Sequence, residues 1–476
     1  MPTILGLDSG ISPSAREGSS RIIASHVTNG SVEATPARPG RALFAIWAAG
    51  AALRLVFVGL EPQTRPIADE TMWLMALTRI PAADFSPFSN YPIFHPPLYP
   101  YFLAALNAMF GSLLAIKVVQ ALIGSLLIPA VFRIASAVSG PRAGVVAAGL
   151  VAFYPEMIWY SAHFWCETLF LSLVWWAVER LLVADLRDSR RAAIAAGILI
   201  GLAILTRETV LYLLPLGALW VFARRPRRAA LAGLVVAGSL ALVLPWTVRN
   251  WIQFDSFIPV STGGGLNLYQ GNAPLSRNEV YDEYYANEGK VDQYKWARSA
   301  GLKVIWERQP AWIFEKIRDE GPRLAELDSL ALIHIRRGAY GEVACSTYRG
   351  VAMVVLVPWI LIAMASVGAL ARARPGPDRQ MILLLGLLGA YLLLHIATHG
   401  FSRYRLPVLP AFMILAATFF GRSGGGPLSR VQCGILAGLA AALALLWAPS
   451  ALDQLGHLGL IAPPLYEGFT PVCPTP

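Results

Sequence analysis

Apolar residues in this chain come in runs of the length a helix needs to cross a bilayer. Residues 42–60 and 231–247 are two of them, and about 20 residues at 1.5 Å rise cover roughly 30 Å of hydrocarbon. Soluble domains carry about 25% charged residues to cover their surface, whereas 14% of these 476 residues are charged and 56% are hydrophobic. Such a chain takes a bilayer as its solvent and folds as an all-α polytopic membrane protein.

The net charge of +10 would fit nucleic acid in a soluble protein. Here the excess lies in short loops between apolar runs, the positive-inside pattern, which reads against nucleic acid as a partner and for membrane lipids. Residues 1–40, rich in Ser, Gly, Pro and Arg, lack the apolar core of a signal peptide and read as a disordered cytoplasmic tail held inward by Arg38 and Arg41. Cys166, Cys345, Cys433 and Cys473 show no CxxC spacing, so neither a zinc site nor a disulfide framework is indicated.

The short stretch 97–111 decides the topology. If it lies at the interface without crossing, the clusters around Arg133, Arg142, Arg187, Arg190, Arg191, Arg224, Arg225, Arg227, Arg228, Arg372, Arg374, Arg379, Arg422 and Arg430 all fall inside. If it crosses, all fall outside. The non-crossing choice predicts eleven spans, at 42–60, 113–134, 143–159, 164–184, 192–205, 209–223, 229–246, 350–371, 380–396, 406–420 and 431–447. The organisation is then a membrane module 41–247 with a first external loop 61–112, an external loop domain 248–349, a second membrane module 350–447, and an external Pro-rich tail 448–476. Within the loop domain, residues 292–317 space apolar side chains helically with an interruption at Pro310. Their Trp residues suit either a helix on the membrane surface or a soluble helical pair.

Asp69 and Glu70 follow the first span, where water meets the interface. A carboxylate there can take the proton of an acceptor hydroxyl, or simply cap the helix that follows. Glu167, at the mouth of a span, demands a partner or a wet cavity. With Asp69 it is the candidate pair for a divalent cation; as a lone residue it is equally an interfacial glutamate bonded to the next helix. Glu156, after Pro155, is a weaker candidate. His95 before Pro96 and Pro97 could bind a lipid phosphate or a metal. Arg207, Arg249 with Asn250, and Arg403 with Arg405 stand against the inside bias, as phosphate ligands or as snorkelling side chains. The Gly263-Gly264-Gly265 run leading to Asn267 is neither a P-loop nor a dinucleotide fingerprint. It reads as a tight loop near a sugar or phosphate, or as a plain turn.

Four ordered passages carry a resemblance. They are Asp69-Glu70; His95-Pro96-Pro97-Leu98-Tyr99-Pro100; Leu244-Pro245-Trp246-Thr247-Val248-Arg249-Asn250 running on to Asn267-Leu268-Tyr269-Gln270-Gly271-Asn272; and Ser402-Arg403-Tyr404-Arg405-Leu406-Pro407. Together they resemble bacterial members of the membrane glycosyltransferase C superfamily, similar to glycosyltransferase family 39, the protein O-mannosyltransferases and the aminoarabinose transferases. The resemblance implies a GT-C-like fold and a polyprenyl-phosphate sugar donor taken in the outer half of the membrane. It implies Asp69 as base with Glu70 beside it, Glu167 as the acidic residue of the second loop, and His95 where relatives place a basic residue on donor phosphate. Phe94 stands where some relatives have an acidic metal ligand, so the divalent cation is left open.

The expected function is inverting sugar transfer to a hydroxyl of a glycan, lipid or protein on the periplasmic side of a bacterial inner membrane. A transporter or lipid flippase, which would show discontinuous helices and an internal repeat, and a non-catalytic scaffold are the alternatives.

Overall fold

The structure is a computed structural model that describes residues 39–61, 63, 65–66, 69–80, 93–223, 229–372, 378–421, 428–462 and 472–473. The tail expected over 1–40 falls outside them up to residue 38, as do Arg224, Arg225, Arg227, Arg228, Arg374 and Arg422. Among the described residues the secondary structure is helical throughout, with no strand.

A helix lies at each of the eleven expected spans. By length and apolar composition seven of them qualify as crossings, or eight if the bent pair Pro141–Phe153 and Pro155–Ser161 is one span. Two of the rest, Arg190–Thr206 and the segment Glu208–Phe222, are short. The third, Glu167–Arg187, is long enough but carries Glu167, Glu179, Arg180, Asp185 and Arg187. It is buried on nearly every side, and all of these charges except Arg187 at its end are held by protein partners: Arg207 on Glu167, Arg133 and Arg180 on Glu179, Arg379 on Asp185. Ionisable residues at membrane depth persist only with such partners. The helix Leu98–Phe110 has 13 residues, short of the roughly 20 a crossing needs.

Close approach of two helices is built from small residues. On Arg190–Thr206, Gly197 and Gly201 face Val235 and Ser239 of Ala229–Phe254; a Cβ on Gly201 would stand 2.9 Å from the Ser239 carbonyl oxygen. This is the small-xxx-small contact by which helices associate in lipid.

At Tyr154 a span breaks, and the helix that Pro155 begins leaves at 53°. Proline has no N–H to give, so the last carbonyls of Pro141–Phe153 lose their intrahelical donors. Arg54, 1% exposed in the first helix, supplies them: Nη2 donates to Val151 and Nη1 to Ala152, each at 3.0 Å.

Ala229–Phe254 continues through Pro245, so Arg249 and Asn250 lie in its last turns and not in a loop. Beyond it come Gly263–Asn272, Arg277–Tyr285, Lys290–Glu307, Ala311–Ala325 and Leu330–Arg336. The break between Lys290–Glu307 and Ala311–Ala325 falls at Pro310, where the spacing placed it. Trp306, Ile313, Phe314 and Ile317 are exposed. Lys316 turns inward and donates to the carbonyls of Gly271 at 2.6 Å and Thr398 at 3.1 Å. The apolar face of Ala311–Ala325 is thus the outward one, as a helix resting on a membrane surface requires.

Two expectations are corrected. Cys345 and Cys473 form a disulfide, with Cα atoms 5.1 Å apart; a pairing across 128 positions leaves no trace in local spacing. The expected tail from residue 448 begins as helix, because Arg430–His457 runs through Pro449.

Candidate functional site

Four charged residues from four segments meet at one end of the helices. Asp69 opens the helix Asp69–Arg79 and Glu167 opens Glu167–Arg187, each carboxylate sitting where a helix N-terminus favours negative charge. Arg207 follows the end of Arg190–Thr206, and Arg403 lies in the 3₁₀ turn Ser402–Val408. Arg403 Nη1 is 2.9 Å from Asp69 Oδ2, its Nη2 is 3.5 Å from Glu167 Oε1, and Arg207 Nη1 is 2.6 Å from the same oxygen. Arg403 also lies over Trp165, 4.8 Å from the ring centroid, which holds the guanidinium plane by a cation–π contact.

The two carboxylates differ in access. Glu167 is fully buried, whereas the Asp69 side chain is 35% exposed. Burial pushes the Asp69 carboxyl up, but the charge and hydrogen bond of Arg403, helped by His95 and Arg207, bring it below the usual carboxylate value. Asp69 is therefore an ionised, reachable acceptor of hydrogen bonds.

His95 joins this cluster against Trp73, ring centroids 4.8 Å apart. Burial lowers its pKa to about 4 against the pull of Asp69, with Arg403 and Arg207 adding to the fall. The imidazole is neutral at pH 7 and carries no fixed charge. Its Nε2 and the Nε of Arg403 are both buried without a hydrogen-bond partner among the described residues, and two such orphans in one site are an invitation to a ligand.

The glycine run explains how His95 is held. Thr262 and Gly263 donate their backbone N–H groups to the carbonyls of Ile93 at 2.7 Å and Phe94 at 3.0 Å. A Cβ on Gly263 would stand 2.6 Å from Phe94 O, one on Gly264 2.5 Å from Glu208 Oε1, and one on Gly265 2.8 Å from Tyr294 O. Glu208 in turn accepts the Ser261 hydroxyl at 2.9 Å. The run is a packing hub among three segments. Asn267 is exposed on the helix Gly263–Asn272 that the run begins.

Other expected residues do structural work. Glu70 is 2% exposed and accepts from the Phe164 N–H at 3.0 Å and from Gln63 Nε2 at 2.6 Å, so the Asp69-Glu70 pair divides between the site and the loop before Glu167. Asn250 donates to the carbonyls of Ile258 at 3.0 Å and Val260 at 3.3 Å, and Arg249 lies over Trp246; both shape the turn after their helix. Arg405 reaches the carbonyls of Glu326 and Asp328, and its Nη2 is 3.8 Å from Glu156.

Sequence reasoning missed a second group. His163 Nε2 is 3.6 Å from Glu61 Oε1 and 3.3 Å from the Tyr340 hydroxyl, which also accepts from Trp159 Nε1 at 2.7 Å. Burial raises the Glu61 pKa to about 7 and lowers that of His163 to about 3. A signal was present: Glu61 directly follows the first span and His163 precedes Phe164-Trp165-Cys166-Glu167.

Asp69 and Glu167 do not fit a divalent cation, since the Arg403 guanidinium already lies between them as their shared positive charge. Among the described residues no three His, Cys, Asp or Glu side chains converge as metal ligands.

Residues 94–249, about a third of the chain, match the family described as dolichyl-phosphate-mannose-protein mannosyltransferase. No curated protein matches the sequence. Among solved structures, the archaeal oligosaccharyltransferase AglB from Archaeoglobus fulgidus, in complex with an inhibitory peptide and a dolichol-phosphate, is 16% identical. The alignment covers 85% of this chain and 54% of that one at a TM-score of 0.48, so this chain spans about half of the oligosaccharyltransferase's length. ArnT from Cupriavidus metallidurans bound to undecaprenyl phosphate is 16% identical over 87% of this chain and 90% of its own, at a TM-score of 0.40. Asp69 and Arg403 lie outside the matched segment; His95, Glu167, Arg207 and Arg249 lie within it. Through residues 94–249 this multi-pass membrane protein is similar to that mannosyltransferase family.

Proposed function

We propose that the protein transfers a sugar from a polyprenyl-phosphate donor to an acceptor hydroxyl, with inversion, on the outer side of a bacterial inner membrane. The observation that carries this reading is the bridge from Arg403 to the half-open Asp69 and the buried Glu167. The acceptor oxygen attacks the anomeric carbon, the bond from that carbon to the phosphate oxygen breaks, and Asp69 takes the acceptor proton. Glu167 keeps Arg207 and Arg403 in place, and Arg403 Nε, buried and unpartnered among the described residues, meets the negative charge that develops on the departing lipid phosphate. The neutral His95 offers a hydrogen bond and no fixed charge. Metal chemistry has no part in this scheme.

Two features support the outward orientation. The short-loop arginines Arg187, Arg190, Arg191 and Arg379 stand at helix ends opposite the Asp69 cluster, and the disulfide between Cys345 and Cys473 belongs in an oxidising compartment. The broken span at Tyr154 is the kind of feature a transporter would use, but its freed carbonyls are closed by Arg54 and do not line an open path.

The test is a strain lacking the chain, with its lipid extract searched for an accumulated polyprenyl-phosphate sugar and its surface glycans for a missing residue. Complementation with the unchanged protein should clear the lipid; Asp69→Asn should insert normally and fail to clear it. Normal lipids and glycans in the deletion strain would sink the transferase reading, and rescue by Asp69→Asn would remove Asp69 as base.

A further inference from the structure

Glu167 and Arg187 begin and end one helix. Twenty residues at 1.5 Å rise put them about 30 Å apart, the thickness of the hydrocarbon core. The far end of this helix therefore sits in the leaflet opposite the Asp69 cluster, and there it forms a groove of about 510 Å³ with Leu127–Ser139.

The groove has two kinds of wall. Its floor includes Phe132, Leu182, Val183 and Leu186, and Arg133, Arg180 and Arg187 line it with Glu179. Glu179 is shared: Arg133 Nη1 reaches it at 3.4 Å and Arg180 Nη2 at 2.6 Å. Arg187 has no ion-pair partner among the described residues, so three guanidiniums stand against one buried carboxylate. Arg133 and Arg180 both lie over the Trp176 ring, at 5.5 and 5.8 Å from its centroid, and Trp176 Nε1 donates to the Leu126 carbonyl at 2.9 Å. The indole thus holds two of the three cations by cation–π contact.

We propose that this groove binds an anionic phospholipid of that leaflet, its phosphate among Arg133, Arg180 and Arg187 and its first acyl carbons on the floor of Phe132 and Leu186. A soluble phosphate would use the arginines alone and leave the apolar floor uncovered. Basic pockets between membrane helices select anionic head groups for this reason. The proposal does not depend on the transferase reading, because it concerns the opposite end of the helices.

Native mass spectrometry of the full-length protein in detergent doped with phosphatidylglycerol or phosphatidylcholine tests it. The protein should retain phosphatidylglycerol at least about tenfold better than phosphatidylcholine, and Arg133→Gln with Arg187→Gln should weaken retention about thirty-fold, the effect of two basic contacts. Leu186→Trp, which fills the floor and keeps every charge, should also lose the lipid, and it decides the matter if the arginine variant fails to fold. Arg372→Gln with Arg430→Gln, an equal loss of charge elsewhere on the chain, should retain it. Equal retention of the two lipids, an equal loss in the Arg372 and Arg430 variant, or displacement of phosphatidylglycerol by millimolar inorganic phosphate would each overturn the proposal.

Discussion

Arg403 holds the Asp69 carboxylate at 2.9 Å with one nitrogen and reaches Glu167 at 3.5 Å with another. A lysine in its place keeps the charge but cannot fork between two carboxylates. Arg403→Lys is expected to slow transfer by about 10- to 100-fold, the loss of one charge-assisted hydrogen bond, with little change in melting temperature. Arg403→Gln removes the charge as well. Asp69 would then keep the burial that raises its pKa without the cation that lowers it, so the acid side of the pH–rate profile should move to higher pH. A profile that stays in place would separate Asp69 from the proton transfer.

Gly263 and Gly264 face different obstacles. An alanine at 263 meets the backbone oxygen of Phe94, which cannot move without carrying His95 along; at 264 it meets the end of the Glu208 side chain, which can turn. Gly263→Ala should cost about 1 to 3 kcal/mol of stability and depress transfer through His95, whereas Gly264→Ala should be milder in both. Melting curves and rates for the two variants check the order, and equal effects would contradict it.

Glu61 and His163 should pull stability in opposite directions with pH. The folded pKa of Glu61 is raised from 4.5 to about 7, so the folded state binds the extra proton; that stability is full below 4.5 and is lost as pH rises to 7. The folded pKa of His163 falls from 6.5 to about 3, so its contribution is full above 6.5 and is lost as pH drops toward 3. Melting temperatures from pH 3 to 8 should show a smaller decline toward neutral pH in Glu61→Gln and a smaller decline toward acid in His163→Gln.

The bond between Cys345 and Cys473 ties the residues beyond Arg430–His457 to the start of Cys345–Ala371. Closing a chain segment of this length contributes about 2 to 4 kcal/mol in typical cases. Cys345→Ser with Cys473→Ser should lower the melting temperature, and on a non-reducing gel the unchanged protein should gain mobility over its reduced form. Absence of the bond in protein purified from membranes would remove this support for the outward orientation.

The helices were legible in the sequence because the cost of placing a residue in lipid is a local property that sums along a run. Pro310 was legible as a break for a similar reason: a missing N–H acts where it stands. Asp69, His95, Glu167, Arg207 and Arg403 could be singled out because a charge or imidazole at the mouth of an apolar run needs a partner. Asn250 and Glu70 carry the same outward mark, yet their partners are the carbonyls of Ile258 and Val260 and the N–H of Phe164. Nothing local separates a side chain that receives substrate from one that completes a turn.

Sequence alone thus determined that this chain is a helical membrane protein and which ionisable residues stand at the ends of its apolar runs. The tertiary structure decided who meets whom. It put Arg403 between Asp69 and Glu167, gave Glu179 to two arginines, and joined Cys345 to Cys473. Hydrophobic burial is non-directional and is read residue by residue, whereas an ion pair or a disulfide depends on a few ångströms between positions far apart in the chain, and only packing sets those distances.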